Sequence, residues 1–219
     1  MPGPRSVADV LSNLRRHGRP LSAFRKGVRV PMSGGSGSGS GSYILAADPG
    51  DLEAGFDPDL SPEEMLMLGV FEGKYLSDCT AEFPREWFVG AAAMGTLSPE
   101  GPDPERCNLF GIKSRQPLSA WRDNGWAPSP GRGKLRGNDH YHGFLASATT
   151  NPDERGWFQW YCRYWLGRRI PDLDDIQIKR WRAFRRHAGA VRANCRSGDL
   201  DCRRRERQAL LQWAYDPFI

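Results

Sequence analysis

The chain has 219 residues, a hydrophobic fraction of 39% and eight tryptophans, which suits one or two domains with a real core. It contains no run of about 18 apolar residues, so no transmembrane helix is expected, and its N-terminus lacks the apolar stretch of a secretory signal. Cys79, Cys107, Cys162, Cys195 and Cys202 are odd in number and irregularly spaced, which predicts reduced thiols and a cytoplasmic setting rather than a disulfide framework.

The net charge of +5 conceals a dipole along the chain. Residues 1–43 carry +6, residues 44–110 carry −11, residues 111–154 carry +2 and residues 155–207 carry +9. A polyanion is drawn to the C-terminal half and repelled by the acidic middle. The alternative is that the two halves pack together and neutralise each other. Only five lysines accompany 26 arginines, so arginine abundance alone is poor evidence for phosphate binding.

At the N-terminus, Ser6 followed by Asp9 resembles a capping box. Val7, Val10, Leu11 and Leu14 then share one helical face, and Gly18 and Pro20 end the helix. Leu21, Phe24, Val28 and Val30 form a second apolar set among Arg25, Lys26 and Arg29. Residues 1–32 therefore read as a basic amphipathic segment that cannot bury its own stripe. The acidic stretch 48–105 is its expected docking surface; an ordinary N-terminal helix of one domain uses the same contacts. Residues 33–42 are Gly and Ser only, the composition of an engineered flexible linker, with a natural low-complexity insert as the alternative. If engineered, it makes residues 1–32 a tethered peptide or a rejoined piece of the same protein.

Residues 43–219 read as helices joined by Gly/Pro-rich loops. Ser61-Pro62-Glu63-Glu64 is a helix start, and Gly69 closes that short helix. Pro84 opens a helix from Arg85 to about Met94, with Trp87, Phe88 and Ala91 inward. Pro117 opens another through Leu118 and Trp121, stopped by Asn124-Gly125. Residues 127–155 read as a long loop. Short strands are possible at 43–46 and 109–112.

Gly156 to Gly167 reads as a helix with aromatic residues at six of the thirteen positions 157–169. At about 100° per residue, Gln159, Arg163 and Leu166 share one side and rings cover the rest, which predicts burial nearly all round. Asp174 to about Asn194 reads as the longest helix, with Trp181, Phe184, Ala188, Val191 and Cys195 on one stripe and Lys179, Arg182, Arg185, Arg186 and Arg192 on the other side. Ser197-Gly198-Asp199 is a turn, and Arg203 to Tyr215 is the last helix. The fold class is all-α or mostly α, a single multi-helix domain with an acidic N-terminal half and a basic C-terminal half.

Several segments recur in order in a family of conserved proteins that this chain resembles. They are Gly-Val-Phe-Glu-Gly-Lys-Tyr at 69–75, Asn-Leu-Phe-Gly at 108–111, Gly-Trp at 125–126, the block from Asp153 to Arg169, Gln177-Ile178-Lys179-Arg180-Trp181 and the run from Arg207 to Tyr215. The family is uncharacterised and lends no activity. The resemblance implies that residues 43–216 are one unit and that 127–150 is an insertion.

Three functions are expected to compete. The first is a nucleic-acid-binding protein, with nucleic-acid processing as its extension. Arg163, Arg168, Arg169, Lys179, Arg182, Arg185, Arg186 and Arg192 would hold phosphates, and Trp157 and Trp160 would stack on bases. The second is an interaction module that takes a basic amphipathic peptide like residues 5–30 on its acidic surface. The third is an enzyme with a carboxylate-containing pocket beneath the aromatic helix, drawing on Glu72, Asp78, Glu82 or Glu86. His140 and His142 beside Asp139 lack further ligands at metal-site spacing, so no metal is assigned. Cys79 and Cys162 read as small buried residues rather than reactive thiols.

Overall fold

A computed structural model describes residues 4–33, 41–123, 152–153 and 155–219. Helix α1 (Val7–His17) starts where Ser6 Oγ accepts the Asp9 amide at 3.1 Å, and it ends as the Gly18 amide bonds the Leu14 carbonyl. Val10 and Leu14 face inward and are buried. A 3₁₀ turn at Leu21–Ala23 leads to β1 (Arg29–Pro31), which pairs antiparallel with β2 (Ser42–Ile44) so that Val30 opposes Tyr43. Strand β1 was not legible in the sequence, because three residues are too few to show an alternation. The strand considered at 109–112 is a turn instead. Asn108 folds it, its Oδ1 accepting the Phe110 amide and its Nδ2 donating to the Ile112 carbonyl.

Helix α2 (Pro62–Met67) has the complete capping box: Ser61 Oγ accepts the Glu64 amide while Glu64 Oε2 accepts the Ser61 amide at 2.7 Å. It packs on α3 (Arg85–Ala93), whose Trp87, Phe88 and Ala91 are buried as the spacing predicts. Two short helices follow, α4 (Pro104–Cys107) and α5 (Leu118–Asp123). The C-terminal half holds α6 (Trp157–Trp165), α7 (Pro171–Phe184), α8 (Arg186–Asn194) and α9 (Arg204–Gln212). Among the described residues the architecture is mostly α, with one two-stranded ribbon.

Helix α6 is the pillar of the core. Trp157 stacks on Tyr161 at 5.1 Å and Trp160 on Tyr164 at 5.0 Å, the i, i+4 pairs of a helix. Phe56 inserts its ring against Trp160, Tyr161, Tyr164 and Trp181. Each such ring removed from water contributes about 1.5–3 kcal/mol. Even the polar side of α6 is inside, with Gln159 1% and Arg163 0% exposed.

Residues expected as one helix from Asp174 to Asn194 form two, α7 and α8, broken at Arg185. The Trp181 carbonyl, which would take the Arg185 amide in a continuous helix, accepts the Tyr215 hydroxyl at 2.8 Å. The Arg185 amide turns to the Arg182 carbonyl at 3.2 Å, tightening the turn.

The N-terminal segment shares this core. Val10, Leu14, Phe24 and Val30 lie in the same buried cluster as Leu45, Trp87 and Trp160. Gly27 donates to the Leu45 carbonyl and Leu45 to that of Val28, and the Arg85 amide bonds the Arg19 carbonyl. Acidic side chains of the middle region also take part, but they hold peptide N–H groups rather than cationic heads. Glu86 accepts from Leu21, Asp48 from Lys26 and Glu82 from Ser33.

Cys195 and Cys202 form a disulfide with Cα atoms 5.7 Å apart, which corrects the expectation of five reduced thiols. The turn between α8 and α9 brings the two residues together, and their spacing in sequence gave no sign of it. Cys79, Cys107 and Cys162 are free and buried. Among the described residues no helix is long and apolar enough to cross a membrane.

Candidate functional site

The ten residues expected at a nucleic-acid surface divide into an inner and an outer group. Arg163 and Arg168 are inside. Arg163 Nε and Nη2 meet Glu82 Oε1 and Oε2 at 2.6 and 3.1 Å, and its Nη1 bonds Asp153 Oδ1 at 2.9 Å and the Pro152 carbonyl at 2.7 Å. Arg168 grips the same Asp153 with Nη1 and Nη2 at 2.8 and 2.6 Å. Glu82, Arg163, Asp153 and Arg168 thus form a buried chain of alternating charge, covered by the Tyr43 ring about 6 Å from both guanidinium carbons. Burial pushes the Asp153 carboxyl up, but the two guanidiniums outweigh it and hold its pKa below the ordinary value. Neither arginine is available to phosphate, because removing it would strand a carboxylate in the core.

The tryptophans are inside as well. Trp160 is fully buried and its Nε1 donates to Asp174 Oδ1 at 2.8 Å; Trp157 donates to the Gln177 carbonyl and leans on Trp213. These rings face other rings, so the expectation that they stack on bases is replaced by a packing role. Asp174 also accepts the Ile170 amide at the start of α7, and burial raises its pKa against those hydrogen bonds. Arg169 lies over the Tyr164 ring at 4.0 Å and donates to the carbonyls of Tyr164, Arg168 and Asp51. It ties α6 to the segment before α2.

The carboxylates beneath the aromatic helix are equally engaged. Asp78 takes both Nη atoms of Arg155 at 2.7 and 2.6 Å, and Glu82 takes Arg163. Glu86 accepts the Leu21 amide. Glu72 is 1% exposed, and its Oε1 accepts the amides of Ser114 and Arg115 at 2.7 and 3.0 Å. To turn inward, Phe71 and Glu72 adopt left-handed φ of 53° and 63°. The Gly-Val-Phe-Glu-Gly-Lys-Tyr segment therefore anchors the chain near residue 114. None of the four carboxylates is left unengaged for acid–base work.

The outer group is different. Lys179, Arg182, Arg185, Arg186 and Arg192 are exposed on α7, α8 and the turn between them. Lys179 lies 4.0 Å from Asp175. Among the described residues no carboxylate comes within 4.0 Å of the guanidinium of Arg182, Arg185, Arg186 or Arg192. Arg182, Arg185 and Arg192 line a cavity of about 520 Å³, whose other walls include Gly55, Asp57, Asp59 and Asp216. Its floor is Trp181 and Tyr215, stacked at 5.0 Å with 5° between the planes. Burial raises the Tyr215 hydroxyl to about 12, so it stays a neutral donor to the Trp181 carbonyl. Arg182 reaches across to the Gly55 carbonyl through Nε and Nη2 at 3.1 and 3.0 Å, leaving its charge uncompensated.

Sequence reasoning assigned the basic face and missed its floor. Nothing marked Tyr215 as the partner of Trp181, since the two are 34 residues apart. One signal for the inner group was present: an arginine in the middle of an all-apolar wheel needs a buried acid. His140 and His142 lie outside the described residues, and among the described ones no cluster of three His, Cys, Asp or Glu side chains is placed to hold a metal. No protein-family model, curated protein or solved structure matches the chain.

Proposed function

We propose that the exposed face of α7 and α8 binds nucleic acid through its phosphate backbone. The observation that carries this reading is how the arginines are sorted. Arg163 and Arg168 of the core are neutralised by buried carboxylates and Arg207 by main-chain oxygens, while Arg182, Arg185, Arg186 and Arg192 are exposed with no carboxylate within 4.0 Å among the described residues. Exposed cations without a paired acid are the ones free to neutralise phosphate. The Trp181–Tyr215 floor joins α7 to the terminal stretch, and Arg182 is held in place by the Gly55 carbonyl. Asp57, Asp59 and Asp216 on the facing walls repel a backbone that strays from the arginine row, which favours one strand path over a broad footprint. Contacts to phosphate without a ring or base-edge reader predict binding with little sequence preference.

The test is a titration of single- and double-stranded oligonucleotides at several salt concentrations. Affinity should fall linearly on a log–log plot, with a slope of about −0.7 to −0.9 per phosphate contacted. Binding that ignores salt, or none at all at low salt, rejects the reading.

A specific observation also favours the peptide-binding reading. Two carboxylates from separate parts of the acidic middle, Glu86 and Asp48, accept the peptide N–H groups of Leu21 and Lys26, and Glu82 accepts that of Ser33, the first residue of the Gly/Ser stretch. Recognition through main-chain donors plus an added strand is a recurring mode of peptide capture. In that reading residues 5–30 occupy the acidic surface as a ligand of the rest of the chain. Its test is separation of the two pieces after the linker is cut.

A further inference from the structure

We infer that the Cys195–Cys202 disulfide is a redox control on the basic face, an inference that rests on the nucleic-acid reading above. The disulfide closes the exposed turn 196–201 between the end of α8 and the start of α9. Cys195 and Cys202 are half-buried residues, unlike the three free cysteines, all of which are buried.

The turn is wired to the cavity by one side chain. Arg207 is fully buried and spreads its guanidinium over four main-chain oxygens. Nε donates to Cys202 at 2.8 Å and Nη2 to Asp199 at 3.0 Å, both in or bounding the closed turn. Nη1 donates to Pro217 at 2.8 Å and Ile219 at 2.6 Å. The same terminal stretch supplies Tyr215, Asp216 and Ile219 to the cavity wall, and α8 supplies Ala188 and Arg192 to it. Cys195 is three residues beyond Arg192. Opening the disulfide therefore acts on the cavity twice: it frees the end of α8 that carries Arg192, and it loosens the two carbonyls that fix Arg207 and, through it, the terminal stretch. A buried guanidinium that loses half its acceptors cannot hold its position at no cost.

The chemistry is thiol–disulfide exchange with a dithiol reductant. One reductant thiolate attacks a sulfur of the pair, the S–S bond breaks, and the other cysteine leaves as a thiolate that takes up a proton. The second reductant thiolate resolves the mixed disulfide, so two electrons pass to the protein and the reductant ends as a disulfide. The oxidised protein is the binding form and the dithiol form the weak one.

The experiment measures oligonucleotide affinity of the full chain at fixed salt, oxidised and after incubation with a dithiol, alongside the Cys195→Ser/Cys202→Ser variant. Circular dichroism confirms that each form is folded. Alkylation of the native protein should label two thiols after reduction and none before. Affinity should fall by roughly tenfold on reduction and recover on reoxidation. The double variant should bind as the reduced protein does and ignore the dithiol. Equal affinity of folded oxidised and reduced protein overturns the redox control while leaving the nucleic-acid reading intact; no binding by either form overturns both.

Discussion

Arg163 and Glu82 meet through two parallel hydrogen bonds, Nε to Oε1 at 2.6 Å and Nη2 to Oε2 at 3.1 Å, with both side chains 1% exposed or less. The pair joins α6 to the acidic middle, and the amide of Ser33, the first residue of the Gly/Ser stretch, caps the same Glu82. Removing one charge leaves the other buried and unpaired. Glu82→Leu and Arg163→Met should each lower unfolding free energy by about 3–5 kcal/mol in urea titrations. The double change Glu82→Leu/Arg163→Met should cost far less than the sum, since Arg168 still neutralises Asp153. Additive losses would mean that the pair is not coupled.

Two buried aspartates should pull the pH dependence of stability in opposite directions. Burial raises the Asp153 carboxyl, but Arg168 and Arg163 bring it below its ordinary value. Its contribution is therefore present above the unfolded pKa of about 4 and is lost as pH falls toward the native pKa. Asp174 is raised by burial, so the native state prefers its proton. Its contribution is largest below the ordinary carboxylate pKa and shrinks as pH rises through the native one. Thermal midpoints between roughly pH 3 and 6 will separate them. Relative to wild type, Asp153→Asn should lose most at the upper end of that range, and Asp174→Asn should lose least there. Parallel profiles for the two variants would contradict these environments.

The basic face should be separable from the core by its effect on salt dependence. Arg182→Gln, Arg185→Gln and Arg192→Gln each remove one exposed cation and leave the Trp181–Tyr215 floor in place. Each should flatten the log affinity against log salt slope by about 0.7–0.9 and change the unfolding free energy by less than about 0.5 kcal/mol. Arg163→Met should instead destabilise the fold. If the cavity arginines leave the slope unchanged while Lys179→Gln shifts it, the polyanion lies elsewhere on α7.

Legibility in the sequence followed the range of the forces involved. Local signals were readable: the Ser6 and Ser61 caps, Pro84 before α3, and the wheel of α6 that predicts all-round burial. They depend on residues within one or two turns. Partnerships across the fold were not. Nothing near Arg163 names Glu82, 81 residues away, and nothing in the spacing of Cys195 and Cys202 distinguishes a disulfide from two thiols. The break at Arg185 has the same origin, because a hydroxyl from Tyr215 takes the carbonyl that helix periodicity assigns to the ladder. Candidate arginines were therefore found by type and position, but their division into core and surface required the tertiary contacts.

Gly167 should be intolerant of any side chain. Its φ of 109° lies outside the range L residues adopt readily, and a Cβ there would sit 2.0 Å from the Ala47 carbonyl oxygen. Its own carbonyl accepts the amides of Ala46 and Ala47 at 2.7 and 3.1 Å, which seats the chain after β2 on the end of α6. Gly167→Ala must move that backbone and should cost more than about 2 kcal/mol. Gly95→Ala, also at positive φ but with nothing within 4 Å of its Cβ, provides the control for conformational strain alone and should cost less.

Cutting the chain within the Gly/Ser stretch tests whether residues 5–30 act as a ligand or as part of the core. A protease site placed between residues 34 and 40 leaves both pieces with their contacts: the β1–β2 pairing, the three carboxylate-held amides, and Val10, Leu14, Phe24 and Val30 in the common cluster. Loss of the tether removes the effective concentration, of millimolar order, that a short linker supplies. The cut pieces should co-elute and separate only under denaturant, because Val10, Leu14, Phe24 and Val30 are buried in the common core. Phe24→Ala should then weaken the complex by about 3 kcal/mol, the cost of emptying a buried ring site. A segment that dissociates freely while the remaining body keeps its circular dichroism and its unfolding midpoint would show that neither the core nor the charge network depends on it.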